Sequence, residues 1–456
     1  MPVIKQYRKA ALAGLIFLAL AVFFGLSRRE KPREIRSGPF IGKLQAESTI
    51  PLPSVYDSRK EGRAPQVEDQ QDLGTCWAFA SLTALESALL PEENWDFSED
   101  HMSIRNSFHM GQNAGGDYTM SLAYLLAWQG PVTEEEDPYN DGISPEGLTA
   151  VKHLQEVQIL PAGDLQAIKQ AVYENGGVQS SLYTSLKNSQ SQSAYYQKEN
   201  RAYYYNGDAE PNHDAVIMGW DDKYPKENFT IPPPGDGAFL CVSSWGESFG
   251  DEGYFYVSYY DSNMGQINLT YTRIDDKNNY DKIYQTDLCG WSGQAGYGSD
   301  TAYGANVYQA EERELLAAAG FYAVGPDTRY EIYGVTGPVG LSEPEAGDAG
   351  DLTWPPEFKS RQLLAQGSLK YAGYYTIDFS QPMEIKKGQR FAVIVKLTTR
   401  DSVQPIAIEY QADSSPGTVD ITDGEGYLSY DGIRFQRTET AMECNVCLKA
   451  YTRRIP

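Results

Sequence analysis

A cysteine stands where a helical pattern begins, directly after a turn. Cys76 follows the turn Leu73-Gly74-Thr75, and apolar residues recur from Phe79 onward at three- and four-residue steps. This spacing predicts an amphipathic helix that begins at Cys76, where unpaired backbone N–H groups and the helix dipole favour a thiolate. Gln70, six residues upstream, can fold back across the turn and offer an amide donor. An easily ionised thiol beside a donor for a developing oxyanion is the first half of an acyl-transfer site.

A lone cysteine is a weak signal of function, because most free cysteines are small buried residues. The residues around Cys76 make the signal stronger. The segment QQDLGTCWAFASLTALESALL, from Gln70 to Leu90, resembles the active-site segment of papain-like cysteine peptidases, whose pattern is Q-x-x-x-G-[ST]-C-W-A-F. The resemblance implies that Cys76 is the nucleophile, Gln70 an oxyanion donor and Trp77 a substrate-binding residue. Leu73 replaces a cysteine of typical members, so their neighbouring disulfide cannot form here.

Two further segments match the same family in the same order. His213, one of only four histidines, leads directly into an apolar β-run. It follows Cys76 by 137 residues, within the ~130–150 expected for the family. The segment AFLCVSSWGESFGDEGYFYVSYY, residues 238–260, resembles the family signature NSWG…GYF and contains Trp245. The resemblance implies that His213 takes the proton of Cys76, that Trp245 shields the imidazole, and that neither metal nor cofactor is required.

The chain departs from the family at Ser243, where an asparagine normally orients the histidine. We expect the Ser243 oxygen to accept the Nδ1 proton of His213, although the side chain is shorter than asparagine. Asp214 is an alternative partner, but neighbours along a strand point to opposite faces, so it should not share the side of the ring. The departure predicts an enzyme that is weakened or differently tuned.

Gly115 and Gly116 precede a second apolar run. A glycine pair in this place can be an ordinary loop. In the resembling family it borders the cleft, where bare backbone pairs with an extended peptide, and a side chain would block that approach. The surrounding match favours the cleft interpretation, so we assign both glycines to substrate binding.

At 456 residues the chain is long enough for two or three domains. The resemblance covers about residues 52–262 and implies an α+β fold, with a two-lobed papain-like peptidase domain (a helical lobe and a β-barrel-like lobe) over 52–275. Short β-rich runs then alternate with Gly, Pro and Asp turns over 276–456, which predicts an all-β sandwich or jelly roll. This part resembles the lectin-like domain that follows the peptidase domain in some bacterial papain-like proteins. We predict separate cores for the two domains, which can still dock through a large interface.

The distribution of charge and the N-terminal residues indicate where the protein acts. Residues 1–36 carry eight Lys or Arg and two Glu, which leaves 30 basic and 60 acidic residues in the remainder. Such an acidic body disfavours nucleic-acid binding. Basic residues precede an apolar run, residues 10–26, so we interpret residues 1–27 as a signal peptide or a signal anchor, and 28–51 as a linker. Export to the cell surface or beyond follows, with membrane attachment if the segment is not cleaved.

Several alternatives stay open at this point. Cys444 and Cys447 form a CxxC, but ordinary strand residues fit the pattern better than a zinc or redox site. Tyrosines of the C-terminal domain can stack on a carbohydrate or cell-surface ligand, or pack against sheet faces, which we favour. For the whole chain, an exported cysteine endopeptidase acting on peptide or protein substrates is the leading hypothesis. A catalytically impaired binding or adhesion protein and a cell-wall amidase or transpeptidase are the alternatives.

Overall fold

The computed structural model describes residues 36–37, 51–186, 188, 190–337, 358, 360–411, 417, 419–423 and 425–455. The predicted signal or anchor segment, residues 1–27, and nearly all of the predicted linker, 28–51, lie outside these ranges. Within them, no helix is both long and apolar enough to cross a bilayer. The α-helices of the described residues are α1 (Cys76–Leu89), α2 (Glu99–Arg105), α3 (Tyr118–Leu126), α4 (Leu165–Asn175) and α5 (Thr438–Met442).

Strands of the N-terminal half form one continuous block of a large, mainly antiparallel sheet. In chain order they are β2 (Val55–Asp57), β3 (Lys152–Ile159), β4 (Val178–Leu182), β5 (Tyr196–Gln197), β6 (Ala202–Tyr203), β7 (His213–Asp221), β8 (Ala238–Val242), β9 (Tyr254–Ser258) and β10 (Asn268–Asp276), after a short β1 (Arg36–Ser37) that belongs to another sheet. Their spatial order is β3-β10-β4-β7-β8-β9-β6-β5, with β2 beside β7. The strand β7 is therefore central, and the helix α1 contacts it.

The C-terminal half is built almost entirely of strands. They are β11 (Lys282–Tyr284), β12 (Gly293–Ala295), β13 (Thr301–Gln309), β14 (Glu314–Ala323), β15 (Thr328–Gly337), β16 (Gln362–Leu369), β17 (Ala372–Ile385), β18 (Arg390–Thr398), β19 (Ile406–Tyr410), β20 (Gly426–Ser429), β21 (Gln436–Arg437), β22 (Cys444–Val446) and β23 (Leu448–Arg454). This agrees with the β-rich runs predicted over residues 276–456. Many tyrosines here, among them Tyr308 and Tyr322, are buried in the cores, in agreement with the packing interpretation.

The two halves share one sheet at a single pairing. Ala372 to Tyr375 of β17 pair antiparallel with Ile159 to Glu156 of β3. On one side of this seam lie only strands of the N-terminal half, and on the other side the order continues as β17-β14-β23-β11. The strands are thus joined edge to edge and not interleaved. The pairing covers an edge of β3 that would otherwise expose unpaired backbone groups.

Each half has a hydrophobic cluster of its own, and the two halves also share one. One hydrophobic cluster contains Leu82 of α1 and Tyr124 of α3 together with Trp291, Tyr322 and Tyr374 of the C-terminal half. The helices α1 and α3 therefore pack partly against residues that lie more than 160 positions away in the sequence. Strand periodicity shows which side of a strand is apolar, but not which part of the chain will cover it. The domain limits 52–275 and 276–456 stay predictions.

Candidate active site

The turn before α1 is fixed by contacts from three sides. Gly74 N donates to the carbonyl of Gln112 at 3.1 Å, and a Cβ on Gly74 would lie 3.1 Å from both Gln112 O and Gly115 N. The hydroxyl of Tyr139 lies 2.6 Å from Thr75 Oγ1 and donates to Gln70 O at 3.0 Å. Since Thr75 has no side-chain cap on the helix, the tyrosine and the close backbone approach hold the turn that presents Cys76.

Gln70 is held in one orientation by a second segment. Its Oε1 accepts from Ser244 Oγ at 2.6 Å, and its backbone N–H donates to Ser244 O at 2.9 Å. Its Nε2 donates to Leu73 O at 2.7 Å. An amide nitrogen carries two hydrogens, so one remains for a developing oxyanion. The sequence prediction that Gln70 folds back across the turn agrees with this geometry.

Gly115 and Gly116 lie against the same turn. Gly115 has φ 79°, in the left-handed region that favours glycine. A Cβ on Gly116 would come within 2.6 Å of Trp77 Nε1 and 2.7 Å of Trp77 Cε2. The structure therefore brings Trp77 and both glycines together beside Cys76, and only bare backbone fits at Gly116.

His213 begins β7, and its ring is enclosed by the NSWG-like segment. The imidazole stacks on Trp245 with ring centroids 4.4 Å apart and an interplanar angle of 15°. His213 Nε2 lies 2.9 Å from Ser243 Oγ, and both residues are buried. The predicted contact between Ser243 and His213 is therefore present, but the expectation that it involves Nδ1 is wrong. Since Nε2 contacts Ser243, Nδ1 is the ring nitrogen that remains for another partner.

Cys76 and the start of β7 meet at the N-terminus of α1. The backbone N–H of Asp214, the residue after His213, lies near enough to Cys76 to favour its thiolate and so to lower the pKa of the thiol. Cys76 retains partial exposure, whereas Cys241, Cys289, Cys444 and Cys447 are buried, and all five are free thiols. The chain thus offers one accessible thiol, and that thiol is next to the imidazole-bearing strand.

The electrostatics correct the expectation of an easily ionised thiol. Burial, followed by the negative charge of Asp214, raises the pKa of Cys76 to about 12. Burial lowers the pKa of His213 to about 3. Desolvation of the sulfur thus outweighs the helix N-terminus, which acts only within one turn. Burial thus shifts the pKa of each group towards its uncharged form.

Asp214 points away from the ring, as strand alternation predicts. Its carboxylate accepts from Ser181 Oγ at 2.6 Å and from Gln179 Nε2 at 3.2 Å, both on the neighbouring strand β4. Burial raises its pKa to about 6. It is therefore not the partner that orients His213.

Sequence reasoning missed Tyr139 and the role of Ser244. Tyr139 reaches Thr75 across 64 residues, and Ser244 reaches Gln70 across 174. Ser244 lies inside the matched SSWG segment, so the sequence already placed it near the active site. Tyr139 stands in an ordinary Asp-Pro-Tyr turn that carries no such signal.

The comparison with known families agrees with this geometry. Residues 52–273 match the family described as papain family cysteine protease, and residues 283–452 match the lectin like domain. The chain carries a papain-family peptidase domain followed by a lectin-like domain. The predicted fold class, a papain-like α+β domain followed by an all-β domain, is confirmed.

Solved structures and curated proteins extend the comparison. The chain is similar to the cysteine protease and lectin-like domains of Cwp84, a surface layer associated protein of Clostridium difficile, with 24% identity, a TM-score of 0.77 and coverage of 92% of this chain and 93% of that chain. A propeptide-cleaved form of Cwp84 is 25% identical with a TM-score of 0.75, covering 88% of this chain and 100% of that chain. Mouse cathepsin K is 25% identical over 211 residues, which are 44% of this chain and 59% of cathepsin K, so the chain spans less than two thirds of that relative.

Proposed function

We propose that this protein is an exported cysteine endopeptidase that hydrolyses peptide bonds through Cys76 and His213, with Ser243 in the place of the usual orienting asparagine. The observation that carries the proposal is the contact of 2.9 Å between His213 Nε2 and Ser243 Oγ, beside the stacked Trp245. Nδ1 is then the ring nitrogen that is free to serve Cys76, the one partly exposed thiol of the five. Export is supported by the basic and apolar N-terminal sequence and by the similarity to Cwp84, described as surface layer associated.

The reaction follows from these positions. Cys76 Sγ gives its proton to His213 Nδ1 and attacks the peptide carbonyl. The oxyanion lies against the second amide hydrogen of Gln70 and the Cys76 backbone N–H. Protonated His213 then protonates the leaving amine, and afterwards accepts a proton from the water that hydrolyses the thioester.

Labelling with a peptidyl epoxide tests the proposal. Such a reagent alkylates a thiol only when it is bound productively beside the imidazole. We expect one adduct per chain, located on Cys76 by mass spectrometry, together with loss of cleavage of a fluorogenic peptide. The Cys76→Ala variant, folded by circular dichroism, should take up no label. Equal labelling of Cys241, Cys289, Cys444 or Cys447 in the native protein would show that the Cys76 thiol has no special reactivity.

Restoring the asparagine should raise activity. Ser243 is buried and borders a cavity of about 10 Å³, the size of one water, so a slightly larger side chain has space there. In Ser243→Asn we expect kcat/KM on a peptide to rise several-fold, since one orienting hydrogen bond is worth ~1 kcal/mol. Ser243→Ala, which removes the bond, should lower kcat/KM. Unchanged activity in both variants would mean that another group orients His213.

Ser243 favours one alternative function. Its side chain is shorter than the asparagine that normally orients the histidine, and it is the residue that contacts His213. A catalytically impaired protein that keeps the cleft as a peptide groove is therefore the alternative. Such a protein would bind peptides with no turnover and no epoxide adduct, which separates the two functions in the labelling experiment.

A further inference from the structure

Both oxyanion donors of the proposed reaction lie at the ends of one turn. The Gln70 side chain stands at its start, and the Cys76 backbone N–H follows its last residue, Thr75. Within the turn, Gln71 has φ 54°, in the left-handed region that residues other than glycine seldom adopt. Thr75 provides no side-chain cap for α1. Contacts from outside the turn therefore help to set how far apart the two donors are held.

One hydroxyl group connects the two ends of this turn. Tyr139 Oη donates to Gln70 O at 3.0 Å and lies 2.6 Å from the Oγ1 of Thr75. A phenol carries a single hydrogen, so the Thr75 hydroxyl is the donor in the second contact. The hydrogen bonds then run in one direction, from Thr75 through Tyr139 to Gln70, and bonds in such a chain strengthen one another. The spacing of the two oxyanion donors thus depends on the Tyr139 hydroxyl.

The loop that carries Tyr139 is itself anchored. The Tyr139 backbone N–H donates to Glu134 Oε1 at 2.7 Å, and its ring meets the ring of Phe79 on α1 edge to face, with centroids 4.8 Å apart. The next residue, Asn140, donates from Nδ2 to Gln71 Oε1 at 2.7 Å. The loop therefore holds the turn at its two ends and at its left-handed residue.

We propose that Tyr139 is a positioning residue of the oxyanion site, which fixes the spacing between the Gln70 amide and the Cys76 backbone N–H. The inference rests on the proposed function and names a further residue that the same reaction needs. Donors that are aligned in advance act on the charge that develops in the transition state. Tyr139 therefore contributes to kcat more than to substrate binding. A shift of about 1 Å in such groups can cost about 10²-fold in rate.

Removing the hydroxyl while keeping the ring tests this role. Tyr139→Phe retains the contact with Phe79 and loses both hydrogen bonds, so kcat on a fluorogenic peptide should fall about tenfold or more, while KM changes less than about twofold. Thr75→Val should lower kcat in the same way, and Thr75→Ser, which keeps the hydroxyl, should recover it. If Tyr139→Phe does not fold, the two Thr75 variants carry the same test.

A matched tyrosine provides the control. Tyr173 on α4 is 38% exposed, and Tyr173→Phe should have the kcat and KM of the wild type. An unchanged kcat in both Tyr139→Phe and Thr75→Val, or a loss that appears only in KM, would overturn the inference.

Inhibitor binding separates this inference from the proposed function. A peptidyl aldehyde forms a bond from its carbonyl carbon to the Cys76 sulfur, the thiol proton passes to the carbonyl oxygen, and that oxygen occupies the oxyanion site. The matched peptidyl alcohol cannot add. The ratio of the two dissociation constants, measured by calorimetry on the full chain, therefore reports the oxyanion site without turnover, and Tyr139→Phe should reduce the preference for the aldehyde about tenfold.

The outcomes are distinct. A preference for the aldehyde that depends on Tyr139, in a protein that cleaves no peptide, would overturn the peptidase and support the inference. Peptide cleavage together with a preference that Tyr139→Phe leaves unchanged would overturn the inference and leave the peptidase intact. A wild-type protein that does not prefer the aldehyde would overturn the inference in either case.

Discussion

Replacing His213 with alanine is expected to lower kcat/KM on a peptide substrate by about 10³- to 10⁴-fold, the range of a positioned general acid–base group. The reason lies in the thiol, since burial and Asp214 raise the pKa of Cys76 to about 12. Without a base at Nδ1, almost no thiolate forms at neutral pH. Steady-state kinetics on a fluorogenic peptide measure the loss, and Cys76→Ala gives the background rate.

A matched histidine variant controls for the substitution itself. His109 is exposed and has φ 53°, a conformation that asparagine adopts readily, so His109→Asn should retain wild-type kcat/KM. The variant His213→Ala should also keep its fold, because the stacked Trp245 remains in contact with Phe249 at a centroid distance of 4.7 Å. A loss below about tenfold in His213→Ala would mean that the imidazole is not the base.

The sequence was most informative where chemistry and local geometry coincide. The start of α1 at Cys76, the strand that begins at His213 and the position of Ser243 next to it all follow from short motifs in the right order. Local patterns also predicted the strand-rich character of the C-terminal half, because alternation and turn residues are properties of a few neighbouring positions.

The features that the sequence did not predict depend on contacts between residues far apart in the chain. The ionisation of Cys76 was expected from one helix terminus, but the surrounding protein and Asp214 reverse its direction. The nitrogen of His213 that faces Ser243 depends on how β7 and β8 are placed, which no motif encodes. Likewise, the shared core arises because β17 continues the sheet at β3, and pairing between distant strands cannot be deduced from periodicity alone.

The C-terminal half contains a buried ion pair, Lys449–Asp287, which we expect to matter for stability. Lys449 Nζ on β23 lies 2.8 Å from Asp287 Oδ1, and the two side chains are 1% and 0% exposed. Lys449 Nζ also donates to Gln285 Oε1 at 2.8 Å. Burial raises the pKa of Asp287, and Lys449 acts against that shift. The lysine is therefore the group that compensates the carboxylate.

Lys449→Met should destabilise the protein by about 3–5 kcal/mol, because it leaves a buried carboxylate without its cation. Urea unfolding followed by tryptophan fluorescence measures the change. The control is Arg434→Met, which breaks an exposed ion pair to Asp431 and should cost no more than about 1 kcal/mol. Adding Asp287→Leu to Lys449→Met should recover most of the loss, since the uncompensated charge is then gone. A loss below about 1 kcal/mol in Lys449→Met would show that Asp287 is protonated in the folded protein and that the pair is not ionic.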